Sequence, residues 1–412
     1  MKKKLLIIGY LWPEPSSSAA GSRMMQLITY FLYKKYEITY ASPALETPFS
    51  EKLENLGIKK VQLPLNNREA DVVLKNEQPD VVLFDRFMME EQFGWRVAEQ
   101  LPKAIRILDT EDLHFLRKAR HKAHKNGKAI KLSDLHTDIA KREIASILRC
   151  DLSLIISETE QQLLIDKFSI NPSLLFYLPF LIEENKISSR EALPAFEARE
   201  DFLFIGNFLH EPNWDAVRYI KTELWSEIRK SLPQAKFNVY GAYTSEKVKQ
   251  LHCEKSGFIV CGRADSSEEV MRKSRVLLAP LRFGAGLKGK FIEAMLCGTP
   301  SVTTTVGAEG IGGKWPWAGE IANETSEIIK QAVTLYTHPK RWEITQNNGF
   351  NIIKNRFLTG NFYQLFSDRL AKLYENLAQH RVDNFMGEIL HHHTTRSTKY
   401  MALWIEEKNK ED

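Results

Sequence analysis

The sequence predicts an α/β protein made of two consecutive parallel-sheet domains followed by helices. Three observations predict it. Strand-like and helix-like segments alternate from Lys4 onward, the alternation restarts near Phe202, and glycines recur at or just after the strand ends of the second half. Alternation of this kind builds parallel sheets with helices on their faces. A length of 412 residues suits two domains with an appended tail.

In the first half, Lys4–Ile8 reads as a buried strand ending at Gly9, and a Pro/Ser/Ala/Gly loop then leads into an amphipathic helix from about Ser22 to Tyr33. Further strands are expected at Glu37–Ala41, Lys59–Leu63, Val81–Phe84, Ala104–Leu108 and Leu152–Ile156, with a long polar helical insertion between Leu113 and Leu148. The second half restarts with the strand Phe202–Ile205, which ends at Gly206, and Pro212-Asn213 opens a helix running to about Lys230. Phe237–Tyr240, Phe258–Val260, Val276–Ala279 and Ser301–Thr304 read as strands, and a helix is expected from Ser245 to Lys255. Ser266-Ser267-Glu268-Glu269 is a good helix start, a hydroxyl cap followed by acids in the first turn. The polar stretch between Glu183 and Glu200 separates the halves. The expected domains are 1–185, 186–345, C-terminal helices in 346–380 that pack back on the first domain, and a helical tail in 381–412. After the break at Leu358–Asn361, residues Phe362, Leu365, Phe366, Leu370, Leu373 and Tyr374 repeat at helical spacing, enough for an apolar stripe that needs a partner surface.

Composition narrows the class. A hydrophobic fraction of 43% and a charged fraction of 26% are those of an ordinary soluble chain. The net charge of +5 fits anionic substrates or a membrane surface without indicating nucleic acid. The four cysteines show no C-x-x-C or zinc spacing and read as reduced thiols of a cytoplasmic protein. The apolar start is too short for a signal peptide, and no apolar run is long enough to span a bilayer. Gly9 is followed by Tyr10-Leu11-Trp12 and the chain has no Gly-x-Gly-x-x-Gly, which argues against a nicotinamide cofactor; none is expected. The His391-His392-His393 triplet reads as a solvated helix face or a metal site.

The most informative stretch runs from Leu281 to Pro300. A buried strand passes through the Gly-rich turn Gly284-Ala285-Gly286 into a short helix. Such a turn aims backbone N–H groups outward, and the helix dipole favours an anion there. Lys288 and Lys290 sit at that same end, which makes sense with an anion between them and the amides; an ordinary solvated helix start is the alternative.

Phe204-Ile205-Gly206, Pro212-Asn213-Trp214-Asp215-Ala216-Val217, Ala279 to Gly286 with Lys288, Lys290 and Glu293-Ala294-Met295, then Gly298-Thr299-Pro300 and Gly307-Ala308-Glu309-Gly310-Ile311 together resemble the donor-domain signature of GT-B glycosyltransferases, nearest to the retaining family 4 (group 1) enzymes of a Gly-Ala-Gly subgroup. The N-terminal half resembles the acceptor domain weakly, through Gly21-Ser22-Arg23 and Asp109 to Asp112. The resemblance implies two Rossmann-like domains facing a cleft, with a C-terminal helix crossing back to the first domain. It implies sugar transfer from a nucleotide-sugar donor to a saccharide or lipid-linked acceptor, with retention and without a metal. A non-catalytic nucleotide-sugar binder and a nucleotide-sugar epimerase are the alternatives. The chain departs from the pattern twice. Ala285 stands where many members carry a glutamate, and only His210 supplies a basic group after Gly206.

On that resemblance, Gly206, Arg282, Gly284, Gly286, Lys288 and Lys290 would bind the donor diphosphate, Glu293 the ribose, and the turn at Arg263 the base. No Asp-x-Asp metal motif occurs, so fixed cations and amides would carry the leaving charge. Asp109, Glu111 and Asp112 place three carboxylates after a strand end. They could orient or deprotonate an acceptor hydroxyl, or cap the helix that follows. Arg117 to Lys131 holds seven Lys/Arg, two His and no acid; it reads as a solvated helix or as a face for anionic lipid and a lipid-linked acceptor, which would place the protein at the membrane periphery.

Overall fold

The structure is a computed structural model that describes residues 2–409, with backbone only for 393–396. Seven parallel strands form the first sheet: β1 (Lys4–Ile8), β2 (Glu37–Ser42), β3 (Lys59–Gln62), β4 (Val81–Asp85), β5 (Ile105–Asp109), β6 (Leu152–Ile155) and β7 (Leu175–Tyr177). Their order is β3-β2-β1-β4-β5-β6-β7. Six more form the second: β8 (Glu200–Ile205), β9 (Phe237–Tyr240), β10 (Phe258–Gly262), β11 (Ser274–Ala279), β12 (Ser301–Thr303) and β13 (Gly319–Ile321), ordered β10-β9-β8-β11-β12-β13. β4 and β5 are buried along their whole length, because helices cover both faces of a parallel sheet. Strand order reverses between β1 and β4 and again between β8 and β11, so each sheet opens a crevice at its carboxyl edge.

Several details differ from the sequence reading. The three-residue edge strands β7 and β13 are too short to show a period of two, and the reading omits them. The helix expected from Pro212 to Lys230 is interrupted by a π-turn at Ile220–Leu224. The helix expected from Ser245 shrinks to Glu246–Lys249.

The helix Pro339–Arg356 packs Trp342, Ile352 and Ile353 into the second-domain core. The chain then crosses beside the linker that first left the first domain. The Ile182 N–H donates to the Phe357 carbonyl at 2.7 Å, and the Thr359 N–H donates to the Ile182 carbonyl at 2.9 Å. The helix Tyr363–Asp383 lies on the first sheet, where Phe366, Leu370 and Leu373 join Leu5, Ile7 and Phe31 in one core. Tyr30 and Ser367 share a hydroxyl hydrogen bond at 2.9 Å, and Tyr36 and Tyr374 another at 3.1 Å. The expected crossing is present, with one correction: Leu365 is 58% exposed. At 100° per residue it falls off the face that Phe366, Leu370 and Leu373 share.

The last helix, Phe385–Lys408, packs on the first-domain helices Phe87–Gln100 and Asp138–Arg149. The reading of the histidine triplet as a solvated face needs correction at His391, which is half-buried against the Arg106 guanidinium (2.5 Å) and the Arg149 carbonyl (2.9 Å). The His393 side chain lies outside the described residues. Among the described residues no helix is long and apolar enough to cross a membrane.

Candidate functional site

The second domain contributes the turn after β11 and the helix Gly289–Leu296. Gly286 has φ +63, and a Cβ there would lie 2.8 Å from the Asp112 Cβ, so only glycine lets the turn press against the first domain. Gly206, at the end of β8, is crowded by two side-chain ends. Its Cβ would sit 2.9 Å from Lys290 Nζ and 2.8 Å from Asn213 Nδ2.

Two lysines flank the helix start. Lys288, the N-cap, is buried and donates to the Gly286 carbonyl at 2.9 Å. Lys290 donates to Asn213 Oδ1 at 2.7 Å and lies over the Phe204 ring at 4.0 Å. Both partners are neutral oxygens, and neither lysine makes an ion pair among the described residues. Burial pulls the Lys288 pKa down to about 8 against the attraction of Glu309, and that of Lys290 to about 7 against Glu293. Glu293 stands one turn further along, its own pKa raised by burial and opposed by the Ser267 hydroxyl and Lys290.

The first domain meets this turn with the ends of β4 and β5. Arg86 (φ +71) and Glu111 (φ +60) are non-glycine residues in the left-handed region, a strained arrangement that clusters at functional sites. Burial and then the neighbouring Asp109 push the Glu111 carboxyl up to about 8, and its Oε1 has no hydrogen-bond partner. Burial works against ionisation of Asp112, but Arg117 (2.7 Å) and His114 (3.5 Å) hold it below the usual carboxylate range. Glu143 caps the helix His114–Lys125, accepting from the His114 N–H at 3.1 Å and the Phe115 N–H at 3.0 Å. The capping role weighed for the acceptor-side carboxylates is therefore filled by another residue, and Glu111 is left with an unpaired oxygen.

Residues 199–338, which span most of the second domain, match the family model described as Glycosyl transferases group 1. The whole chain is similar in structure to sucrose-phosphate synthase of Thermosynechococcus elongatus, with TM-score 0.67 and 13% identity over 91% of this chain and 100% of that one. It is similar to HepE of Anabaena, solved with UDP and glucose, with TM-score 0.64 and 14% identity over 90% and 100% of the two chains. A third likeness is to WaaG, a glycosyltransferase involved in lipopolysaccharide biosynthesis, with TM-score 0.60 and 13% identity over 88% and 98%. A search of curated sequences found no match. The protein is a glycosyltransferase of GT-B fold.

Within the glycosyltransferase, the turn bearing Gly284 and Gly286, together with Lys288, meets Asp112 across the domain junction. Gly206, Lys290 and Glu293 form the neighbouring wall. Three of the sequence-selected residues are engaged elsewhere. Asp109 is fully buried and bound by Arg23, with contacts of 2.7–3.1 Å, which closes its carboxylate to a substrate. Arg282 forks onto Asp215 at 2.6 and 2.8 Å, so its charge is met within the domain rather than offered to a diphosphate. Arg263 reaches Ser16 Oγ at 3.1 Å and lies over the Phe49 ring, bridging to the first domain.

Sequence reasoning missed Arg86, Arg120 and Glu160. Arg86 carries a findable signal, since it directly follows the end of β4 at the topological switch. Arg120 lies inside a basic run, and Glu160 inside a helix start that looks like ordinary capping. Of that basic run, Lys118, Lys122, Lys125, Lys128 and Lys131 are exposed.

Proposed function

We propose that this glycosyltransferase moves a hexosyl or related unit from a nucleotide-sugar donor to a saccharide or lipid-linked acceptor, with retention at the anomeric carbon and with protein cations meeting the leaving charge. The observation that carries the reading is the pair of lysines at one helix start, Lys288 buried and Lys290 half-buried, each hydrogen-bonded only to a neutral oxygen. An ammonium held out of water with no direct ion pair is unfavourable, and a diphosphate between the two would supply one. In the transfer, the bond from the sugar C1 to the diphosphate oxygen breaks as the acceptor oxygen bonds to C1. Lys288, Lys290 and the positive end of the helix they open stabilise the departing diphosphate, the Gly286 N–H being taken by Glu160. Retention, and the kinship with the Gly-Ala-Gly subgroup, rest on the motif resemblance.

On the acceptor side, Glu111 is the group suited to orient the hydroxyl or accept its proton. A carboxyl with pKa near 8 and one unpaired oxygen can hold a proton near neutral pH. The exposed Lys118, Lys122 and Lys125 lie on one helix face, a surface that fits an acceptor carried in an anionic lipid layer.

The test has two arms. Calorimetry with UDP, GDP and ADP should find at least one tight ligand, and at 100 times its Kd that ligand should stabilise the fold by about 2.7 kcal/mol. Transfer from the matching nucleotide sugar is then followed with free and lipid-linked saccharides in anionic or neutral vesicles, the product anomer being read by NMR. If no nucleoside diphosphate or nucleotide sugar binds, the donor reading is lost; inverted product would remove retention alone.

A further inference from the structure

The turn between Gly284 and Gly286 is held at both ends by the other domain. The Arg120 guanidinium donates to the Gly284 carbonyl at 2.9 Å. It also forks onto Glu309 at 2.6 and 2.7 Å, tying itself to the second domain by charge. Two residues along, the Gly286 N–H donates to Glu160 Oε1 at 2.5 Å. Glu160 is 1% exposed, and its Oε2 has no hydrogen-bond partner. Beside the Arg120 contact the His121 ring stacks on Phe283 with centroids 4.4 Å apart and planes 6° apart. A first-domain cation thus holds a carbonyl and a first-domain carboxylate holds an amide, one on each side of Ala285. This pairing of opposite charges with opposite peptide dipoles fixes both the position and the orientation of the turn.

We propose that Arg120 and Glu160 are positioning residues, a two-point clamp by which the first domain sets the donor turn in its transfer geometry. The proposal rests on the glycosyl-transfer reading above. The clamp forms only when the two domains meet. Its reach extends to the diphosphate cations, because Lys288 bonds to the carbonyl of the same Gly286 whose N–H Glu160 holds. Loss of the Glu160 bond therefore loosens the residue whose carbonyl Lys288 holds. Asp112, Lys288, Glu309 and Glu143 are the charged groups around Glu160, and Arg120 reaches it through Glu309 and Lys288.

The test compares steady-state transfer by wild type, Glu160→Ala, Glu160→Gln, Arg120→Met and Arg120→Lys, with folding checked by thermal melting and nucleoside-diphosphate affinity by calorimetry. Loss of the clamp should lower kcat roughly 10- to 100-fold, the scale for a misplaced reacting group, while donor KM changes less than about threefold. Glu160→Gln keeps an acceptor oxygen and should recover most of kcat; Arg120→Lys keeps the charge but loses the fork and should not. Folded Glu160→Ala and Arg120→Met proteins with wild-type kcat would overturn the clamp, as would equal losses in Glu160→Gln and Glu160→Ala. Should the alanine variant fail to fold, the Gln and Lys variants decide by the same criteria. A wild type that binds no nucleoside diphosphate defeats the underlying reading, whereas normal binding with unchanged kcat in the variants defeats the clamp alone.

Discussion

The two strand-end edges that meet across the cleft treat charge in opposite ways. On the first domain, Arg23 is matched to Asp109 and Arg117 to Asp112, and the strained turns there are made by Arg86 and Glu111. On the second, Lys288 and Lys290 touch only neutral oxygens, and the turn is made by Gly284 and Gly286. On the proposed reading, the difference separates charges that belong to the fold from charges that await a ligand. A paired, buried arginine holds its own domain together. On the proposed reading, a lysine held out of water with no ion pair carries a cost in stability that a bound anion would offset.

The largest effect should come from breaking the paired edge. Arg23→Met strands the Asp109 carboxylate in the core and should cost about 3–5 kcal/mol of stability, measured by urea unfolding. A loss under about 1 kcal/mol would show that the first edge is not structural and would erase the contrast. Next comes the unpaired edge. Lys288→Ala or Lys290→Ala should weaken nucleoside-diphosphate binding by roughly 1.5–3 kcal/mol, which is about 10- to 150-fold in Kd, without destabilising the free protein. Unchanged affinity in both variants would remove the anion site.

Lys290 also gives that edge a pH signature. Its folded pKa of about 7 lies below the ordinary 10.5, so between those values the unfolded chain binds more protons. Free-protein stability should therefore rise with pH across that window. Diphosphate affinity should fall across the same window, since the ligand needs the charged amine. Both trends should flatten in Lys290→Ala. The smallest expected effect is at Glu293. If it holds ribose hydroxyls, Glu293→Ala should weaken ribonucleotides by about 1.5 kcal/mol and dideoxynucleotides hardly at all. Equal losses would mark Glu293 as a structural carboxylate.

Much of this organisation is legible in the sequence because it is local. Runs such as Leu5–Ile8 and Val276–Ala279 announce buried strands, and Gly284-Ala285-Gly286 announces a tight turn into a helix. Phe366, Leu370 and Leu373 announce a helix that needs a partner. What is not legible depends on pairs distant in the chain. Nothing near Asp109 says that Arg23 will occupy it, and nothing near Arg282 says that Asp215 will. Glu160 looks like a first-turn acid until the fold sets it against Gly286, 126 residues away. The short strands β7 and β13 escape for another reason: their neighbours in the sheet create them, and three residues carry no pattern of their own.

The stitched crossing at Ile182, Phe357 and Thr359 makes the second domain an insertion within the first. The face of the first sheet that bears Leu5 and Ile7 is finished by Phe366, Leu370 and Leu373, which a ribosome makes after every strand of both sheets. Growing chains ordinarily fold domain by domain from the N-terminus. Here the inserted domain has all its strands while one apolar face of the domain begun before it, already partly covered by Leu27 and Phe31, still lacks the rest of its cover. The order in which the halves mature is thus the reverse of the order in which they begin, and the nascent chain carries that exposed face until its final helices emerge.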